Sequence, residues 1–244
     1  MFSNSVRWTT LAATAMGAAL SVLAPQAASA AVPPPPLTEM PAPQLPGPGD
    51  LVNFHFCDGK LATIVGTAGI DSIQGTPGND VIVSLGGNDW VYGNGGADTI
   101  CSGSGDDHVY GDDTTPVIDG LNRIFSGAGN DVVVGGGGSD VVSGGADHDY
   151  INGSDGADTL VGDGGNDQIY GEAGWDYADG GAGADTLDAA SKDDGSYDYV
   201  YGGADNDLLR TKNGVAEDSG DGGTGLNGCR RDAGESLTNC QVWL

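Results

Sequence analysis

The sequence predicts an all-β fold: a parallel solenoid of about fifteen nine-residue units with short N- and C-terminal caps. Three observations carry this. An Asp returns every nine residues through most of the span from Asp71 to Asp207. An aliphatic residue stands two places after nearly every one of them. Gly supplies 45 of the 244 residues and crowds the stretches between the aliphatic positions. Asp and Gly both disfavour helix interiors and favour turns. A strand long enough to bury only one side chain per unit cannot stand alone, so the units must stack on one another.

The elements follow in chain order. Arg7 and an apolar run from about Leu11 to Leu23 lead to Ala28-Ser29-Ala30. This reads as a signal peptide over 1–30, cut after Ala30, and the run is shorter than the roughly 20 residues that span a bilayer. No transmembrane segment is expected in the mature chain, which reads as exported and monomeric. Residues 31–50, "AVPPPPLTEMPAPQLPGPGD", form a Pro-rich linker. An N-terminal cap covers 51–65.

The repeat array covers 66–210. Each unit is numbered so that the recurrent Asp is position 6 and the aliphatic residue is position 8. Position 6 is Asp at Asp71, Asp80, Asp89, Asp98, Asp107, Asp131, Asp140, Asp149, Asp158, Asp167, Asp176, Asp185, Asp198 and Asp207. Position 8 is Ile, Val or Leu in thirteen of these fourteen units, with Ala178 the exception. A fifteenth unit, "VIDGLNRIF" (117–125), carries Asn122 at position 6, which leaves "GDDTTP" (111–116) as an insertion. "AASK" (189–192) is a second insertion. After Arg210 the register fails, because Ala216 would fall at position 6. Residues 211–244 therefore read as a C-terminal cap.

Within a unit, positions 1–6 are a turn in which Gly at 1 and 4 permits positive φ and close backbone approach. Positions 7–9 are a strand with position 8 inward. Two units make one coil, so the Asp of one unit lies near the Asp two units on. Carboxylates about 5 Å apart repel by roughly 1 kcal/mol in water and by several times more near a protein surface. Rows of them call for cations between successive turns. The donors are carboxylate and carbonyl oxygens, a hard set that suits Ca²⁺ better than zinc or copper, and better than Mg²⁺, which keeps its waters.

The units, for example "GGAGADTLD" (180–188), resemble the RTX, or hemolysin-type, calcium-binding nonapeptide G-G-x-G-x-D-x-U-x. The resemblance implies a parallel β-roll, a right-handed β-solenoid, in which the position-6 Asp and turn carbonyls bind Ca²⁺ between coils. That role passes to the fourteen Asp named above. Members that are toxins, proteases or lipases carry a separate catalytic domain, and none fits here. With an N-terminal signal and an opening such as "CDGKLATIVGTAGIDSIQGTPGNDVIV" (57–83), the chain looks more like small exported proteins of Gram-positive, actinobacterial type.

Four cysteines in an exported chain suggest two disulfides, with three pairings allowed. Nearness favours Cys229–Cys240, which leaves Cys57–Cys101 to tie the cap to the array. The spacings lack the C-x-x-C pairs of zinc sites. The three histidines, His55, His108 and His148, join no catalytic motif: H-E-x-x-H, G-x-S-x-G and P-loop patterns are absent, and the reading is not an enzyme. Nucleic acid is excluded as a partner by a net charge of −27 with 31 of 35 acids being Asp.

Of thirteen turn pairs two units apart, three are disturbed by Asn122 or by "AASK". About ten Ca²⁺ remain, which would bring the mature chain from −28 (−27 less Arg7) to about −8. Folding on calcium binding is expected, since each unit offers a core one aliphatic residue wide. Outward aromatics (Trp90, Tyr92, Tyr110, Tyr150, Tyr170 and Tyr177) leave a second reading open. In it the protein is an extracellular adhesion, matrix or glycan-binding protein for which calcium is structural.

Overall fold

The computed structural model describes residues 54–112, 120–189, 192, 194–211, 218–231 and 235–243. The predicted signal peptide, the Pro-rich linker and the first three residues of the N-terminal cap lie outside the described residues.

Apart from one short hairpin, every strand belongs to one of two ten-stranded parallel sheets, and consecutive strands alternate between them. Where no insertion intervenes, register partners are eighteen residues apart, as in Val132↔Tyr150 of one sheet and Val141↔Thr159 of the other. This is the two-unit coil that the nine-residue period requires. No helix is present among the described residues. Position 8 forms one buried file along the axis, with Ile82, Val91, Ile100, Leu160, Ile169 and Leu187 fully buried. Ala178 sits in that file between Leu160 and Val200, so the narrower residue keeps its place in the register.

Seven strands run six residues rather than three, for example Tyr150–Asp155 and Thr159–Gly164. Their pairing continues through positions 1–3 of the next turn because the turn backbone keeps bonding to the next coil. Positive φ falls at positions 2 and 4, as at Gly145 and Gly183, and also at the non-Gly residues Ser154, Asp163 and Glu172 of position 2. Position 1 is not among them, so Gly there answers a need for space rather than for dihedral freedom.

Both insertions sit inside turns. Gly111 N–H donates to Val134 O (2.8 Å), the bond that position 1 makes in neighbouring coils, so the interrupted unit begins at Gly111 rather than Val117. Ala189 likewise takes position 1 of the unit that carries Asp198, since its carbonyl faces Gly171 as Gly171's faces Gly153.

The sheets also continue past Arg210. Strands Ser219–Asp221, Asn227–Arg230, Ser236–Thr238 and Cys240–Trp243 extend both ladders. Tyr199↔Ser219 and Leu208↔Gly228 are offset by twenty residues, so two extra residues between Thr211 and Asp218 hid the period. "GGTGLNGCR" (222–230) is a full unit with Asn227 at position 6 and Cys229 at position 8.

At the other end Ile64–Val65 pairs with Ile82–Val83 and begins one sheet. The hairpin of Phe56–Cys57 and Lys60–Leu61 is tied to the array by the Cys57–Cys101 disulfide. Arg123 Nε meets Asp58 Oδ2 at 2.7 Å, and Lys60 Nζ donates to Thr99 Oγ1 at 2.9 Å, on the same region. Cys229 pairs with Cys240, as nearness in sequence predicts.

Candidate metal centre

All fourteen candidate Asp residues fall on two edges of the roll, in two rows. In each row the position-6 N–H donates to the Oδ1 of the next position-6 residue. One row runs Asp71, Asp89, Asp107, Asp131, Asp149, Asp167, Asp185, Asp207 and ends on Asn227, with every link 2.8–3.0 Å. The other runs Asp80, Asp98, Asn122, Asp140, Asp158, Asp176, Asp198 and Asp218, at 2.8–2.9 Å. The spacing in sequence placed the fourteen. It missed Asp218 because that residue lies beyond the lengthened turn.

Thirteen of the fourteen are buried, and Asp71, in the first turn, is partly so. One oxygen of each is used by the row, except at Asp71 and Asp80, which head the two rows. The second points back into its own turn. The Oδ2 atoms of Asp89, Asp98, Asp107, Asp131, Asp149, Asp158, Asp167, Asp176, Asp185, Asp198 and Asp207 are buried without a hydrogen-bond donor. A buried carboxylate oxygen left so is costly.

The charges feel this. Burial pushes Asp176 up to about 8, Asp131, Asp149 and Asp198 to about 7, and Asp98, Asp158, Asp167 and Asp207 to about 6. The N–H of the preceding Asp opposes the shift in each case, and neighbouring carboxylates add to it.

Around position 1 the oxygens converge. A Cβ added to Gly202 would stand 2.6 Å from Asp207 Oδ2 and 2.7 Å from the carbonyl oxygen of Gly222, one coil on. At Gly144 the same point lies 2.5 Å from Asp149 Oδ2 and 3.0 Å from Gly162 O. Gly93, Gly135, Gly153, Gly162, Gly171 and Gly180 repeat the arrangement. Two acceptors thus face one small space, at close to the 2.3–2.6 Å that oxygen takes from Ca²⁺.

Where position 6 is Asn, the space holds a proton donor instead. Asn227 Oδ1 keeps the row link, and its Nδ2 donates to Gly222 O (2.6 Å) and Asn239 O (3.4 Å). Asn122 does the same: its Nδ2 donates to Asp112 Oδ2 (2.8 Å) and Gly135 O (3.4 Å). The isosteric exchange of O⁻ for NH₂ shows what the aspartate turns lack, which is a donor between the two acceptors. The residues present fit a hard cation. Among the described residues no group of three or more His, Cys, Asp or Glu side chains is placed to hold a metal ion. The donor set is therefore one carboxylate oxygen per turn together with main-chain carbonyls, which does not suit zinc.

His108 and His148 are sequence neighbours of the row residues Asp107 and Asp149. His108 stacks on Trp90, and His148 Nδ1 accepts the N–H of Asn166 at 2.7 Å. No curated protein matches the chain. The model of the RTX calcium-binding nonapeptide repeat matches residues 63–90, 74–109, 92–114, 118–151, 152–187 and 193–215, more than half of the chain. With its strict period, its two parallel sheets and its turns lined with oxygen, the protein belongs to the RTX calcium-binding nonapeptide repeat family and is a calcium-binding repeat protein.

Proposed function

We propose that the protein is exported, binds Ca²⁺ in two rows along the edges of the roll and folds as it does so. One observation carries this reading: the buried Oδ2 and the carbonyl that share a space without a donor, set against the amides of Asn122 and Asn227 that fill the same space. The position-6 aspartates, with Asp218 added, would hold the ions together with position-1 carbonyls. A bound Ca²⁺ supplies the charge that offsets carboxylate repulsion. Binding free energy then becomes folding free energy. Ten turns headed by Gly carry an Asp at position 6, from Gly66 to Gly202, which again puts the number of ions at about ten. The membership differs from a count of undisturbed pairs, since Ser heads three turns and Ala189 another. Export rests on the sequence of residues 1–30.

The role is that of a binding protein rather than an enzyme. A glycan-binding face is less well supported. Trp90 and His108 stack at 4.2 Å, and Tyr92 and Tyr110 at 5.2 Å, nearly parallel in each pair. Ring faces that a sugar would need are thus turned to one another.

The test is a calcium titration of the mature chain by calorimetry and circular dichroism. About ten ions and a gain of β signal are expected. Asp158→Ala should lower affinity and thermal stability more than Asn122→Ala. A full β spectrum in chelator that calcium leaves unchanged would sink the reading.

A further inference from the structure

The turns of the two halves are furnished differently. In the first two, Asp71 Oδ2 accepts Thr67 N–H (2.6 Å) and Thr67 Oγ1–H (3.0 Å), and Asp80 Oδ2 accepts Thr76 N–H (2.6 Å) and Thr76 Oγ1–H (2.8 Å). Three later turns are headed by Ser. Ser84 Oγ donates to Ser102 O (2.6 Å), Ser102 Oγ to Ser126 O (2.9 Å) and Ser126 Oγ to Gly144 O (2.7 Å), all fully buried. In these the serine Cβ and hydroxyl fill the space that Gly leaves empty elsewhere. The turn begun by Gly111 is filled by the amide of Asn122.

Of the seven turns between Gly66 and Asp131, only that of Gly93 and Asp98 has no side-chain donor to either acceptor; in the serine-headed turns the hydroxyl pairs the carbonyl alone, and the Oδ2 atoms of Asp89, Asp107 and Asp131 stay without a donor. From Gly144 to Gly180 no side chain stands at position 1. Five consecutive turns are headed by Gly, and the Oδ2 atoms of Asp149, Asp158, Asp167, Asp176 and Asp185 have no donor. Gly202 and Asp207 follow the same form. The N-terminal half also carries the Cys57–Cys101 disulfide and the Trp90–His108 and Tyr92–Tyr110 stacks.

We infer that the roll is divided in its response to calcium: coils 64–134, most of whose turns are filled by Thr, Ser or Asn side chains, hold together without the ion, and coils 135–210 require Ca²⁺. Withdrawal of the ion would unwind the second segment from a first that stays folded. Its return would let the second rewind on a standing template. This rests on the calcium-binding reading above and adds which turns answer to the ion. Stacked repeats couple only to their neighbours, so partial unwinding of this kind is open to a solenoid.

The experiment is hydrogen exchange with mass spectrometry on the full mature chain, disulfides intact, in chelator and then with added CaCl₂. In chelator, amides of 64–134 should keep their protection within about tenfold while those of 135–210 lose at least about 100-fold, and calcium should restore them. Equal loss, or equal retention, across both segments with calcium still bound by calorimetry would overturn the division and leave the calcium-binding reading standing. No heat of binding at all would overturn that reading itself. The triple substitution Ser84→Gly, Ser102→Gly, Ser126→Gly provides a second check. It should make protection of 64–134 calcium-dependent and raise the number of bound ions. An unchanged stoichiometry, with the variant folded in calcium, would show that serine does not exclude the ion.

Discussion

Substituting Gly202 by Ala sets a methyl carbon 2.6 Å from Asp207 Oδ2 and 2.7 Å from Gly222 O, distances that no carbon keeps beside oxygen. Gly164, at position 3, would meet nothing nearer than Gly145 O at 3.7 Å. Gly202→Ala is therefore expected to cost about 1–3 kcal/mol and to weaken calcium binding, while Gly164→Ala is nearly neutral. Melting curves at fixed calcium check both. The aspartates add a pH dependence. In the calcium-free chain burial raises the folded-state pKa values of Asp98, Asp131, Asp149, Asp158, Asp167, Asp176, Asp198 and Asp207 above the ordinary 3.8, up to about 8 at Asp176. The folded state then binds more protons than the unfolded one, so stability is greatest near pH 4 and falls as pH rises through 6 to 8. Melting in chelator across that range should show the decline. Asp176→Asn should reduce it and should lower stability once calcium is present. A decline unaltered by the substitution would assign the effect to overall charge.

At the scale of the strand, Leu160 is fully buried between Val142 and Ala178 in the inner file. Leu160→Ala would place two alanines side by side in a core one residue wide. A loss of about 2–5 kcal/mol is expected, against little for Tyr150→Ala on the outer face, as read by denaturant titration in calcium. Strands, file and rows were legible in the sequence because the period is strict wherever the turn has its normal length. Where it is not, spacing failed for identifiable reasons. The two extra residues before Asp218 shifted the frame, and Gly220 leaves position 8 without an aliphatic marker. Asn227 and Cys229 replace both landmarks of a unit that is otherwise regular. The insertion near Gly111 was misplaced by a few residues because only backbone bonding shows that Gly111 and Asp112 still close the coil. The purpose of Gly at position 1 could not be read from a string. It depends on an oxygen that arrives from the next coil.

Across the molecule the two rows of amide-to-carboxylate links run in one direction, from N- to C-terminus. One stops at Asn227, whose N–H donates to Gln241 Oε1 at 2.8 Å. Beyond the other, the last coil is closed by Glu235, whose Oε2 accepts the hydroxyl proton of Thr211 at 2.7 Å. Between those closures uninterrupted coils share one length, so the protein carries its own ruler. Removing 144–161, eighteen residues, joins Ser143 to Gly162 in phase. Each sheet becomes one strand shorter, and each row loses one carboxylate, Asp149 and Asp158. The shortened chain should fold in calcium and bind two ions fewer. Removing only 144–152 would send every later strand to the opposite sheet and carry Asn227 to the end of the wrong row. That chain should fold less well, although it loses half as much. Circular dichroism and calorimetry of the two deletions would show whether length in this protein is counted in pairs.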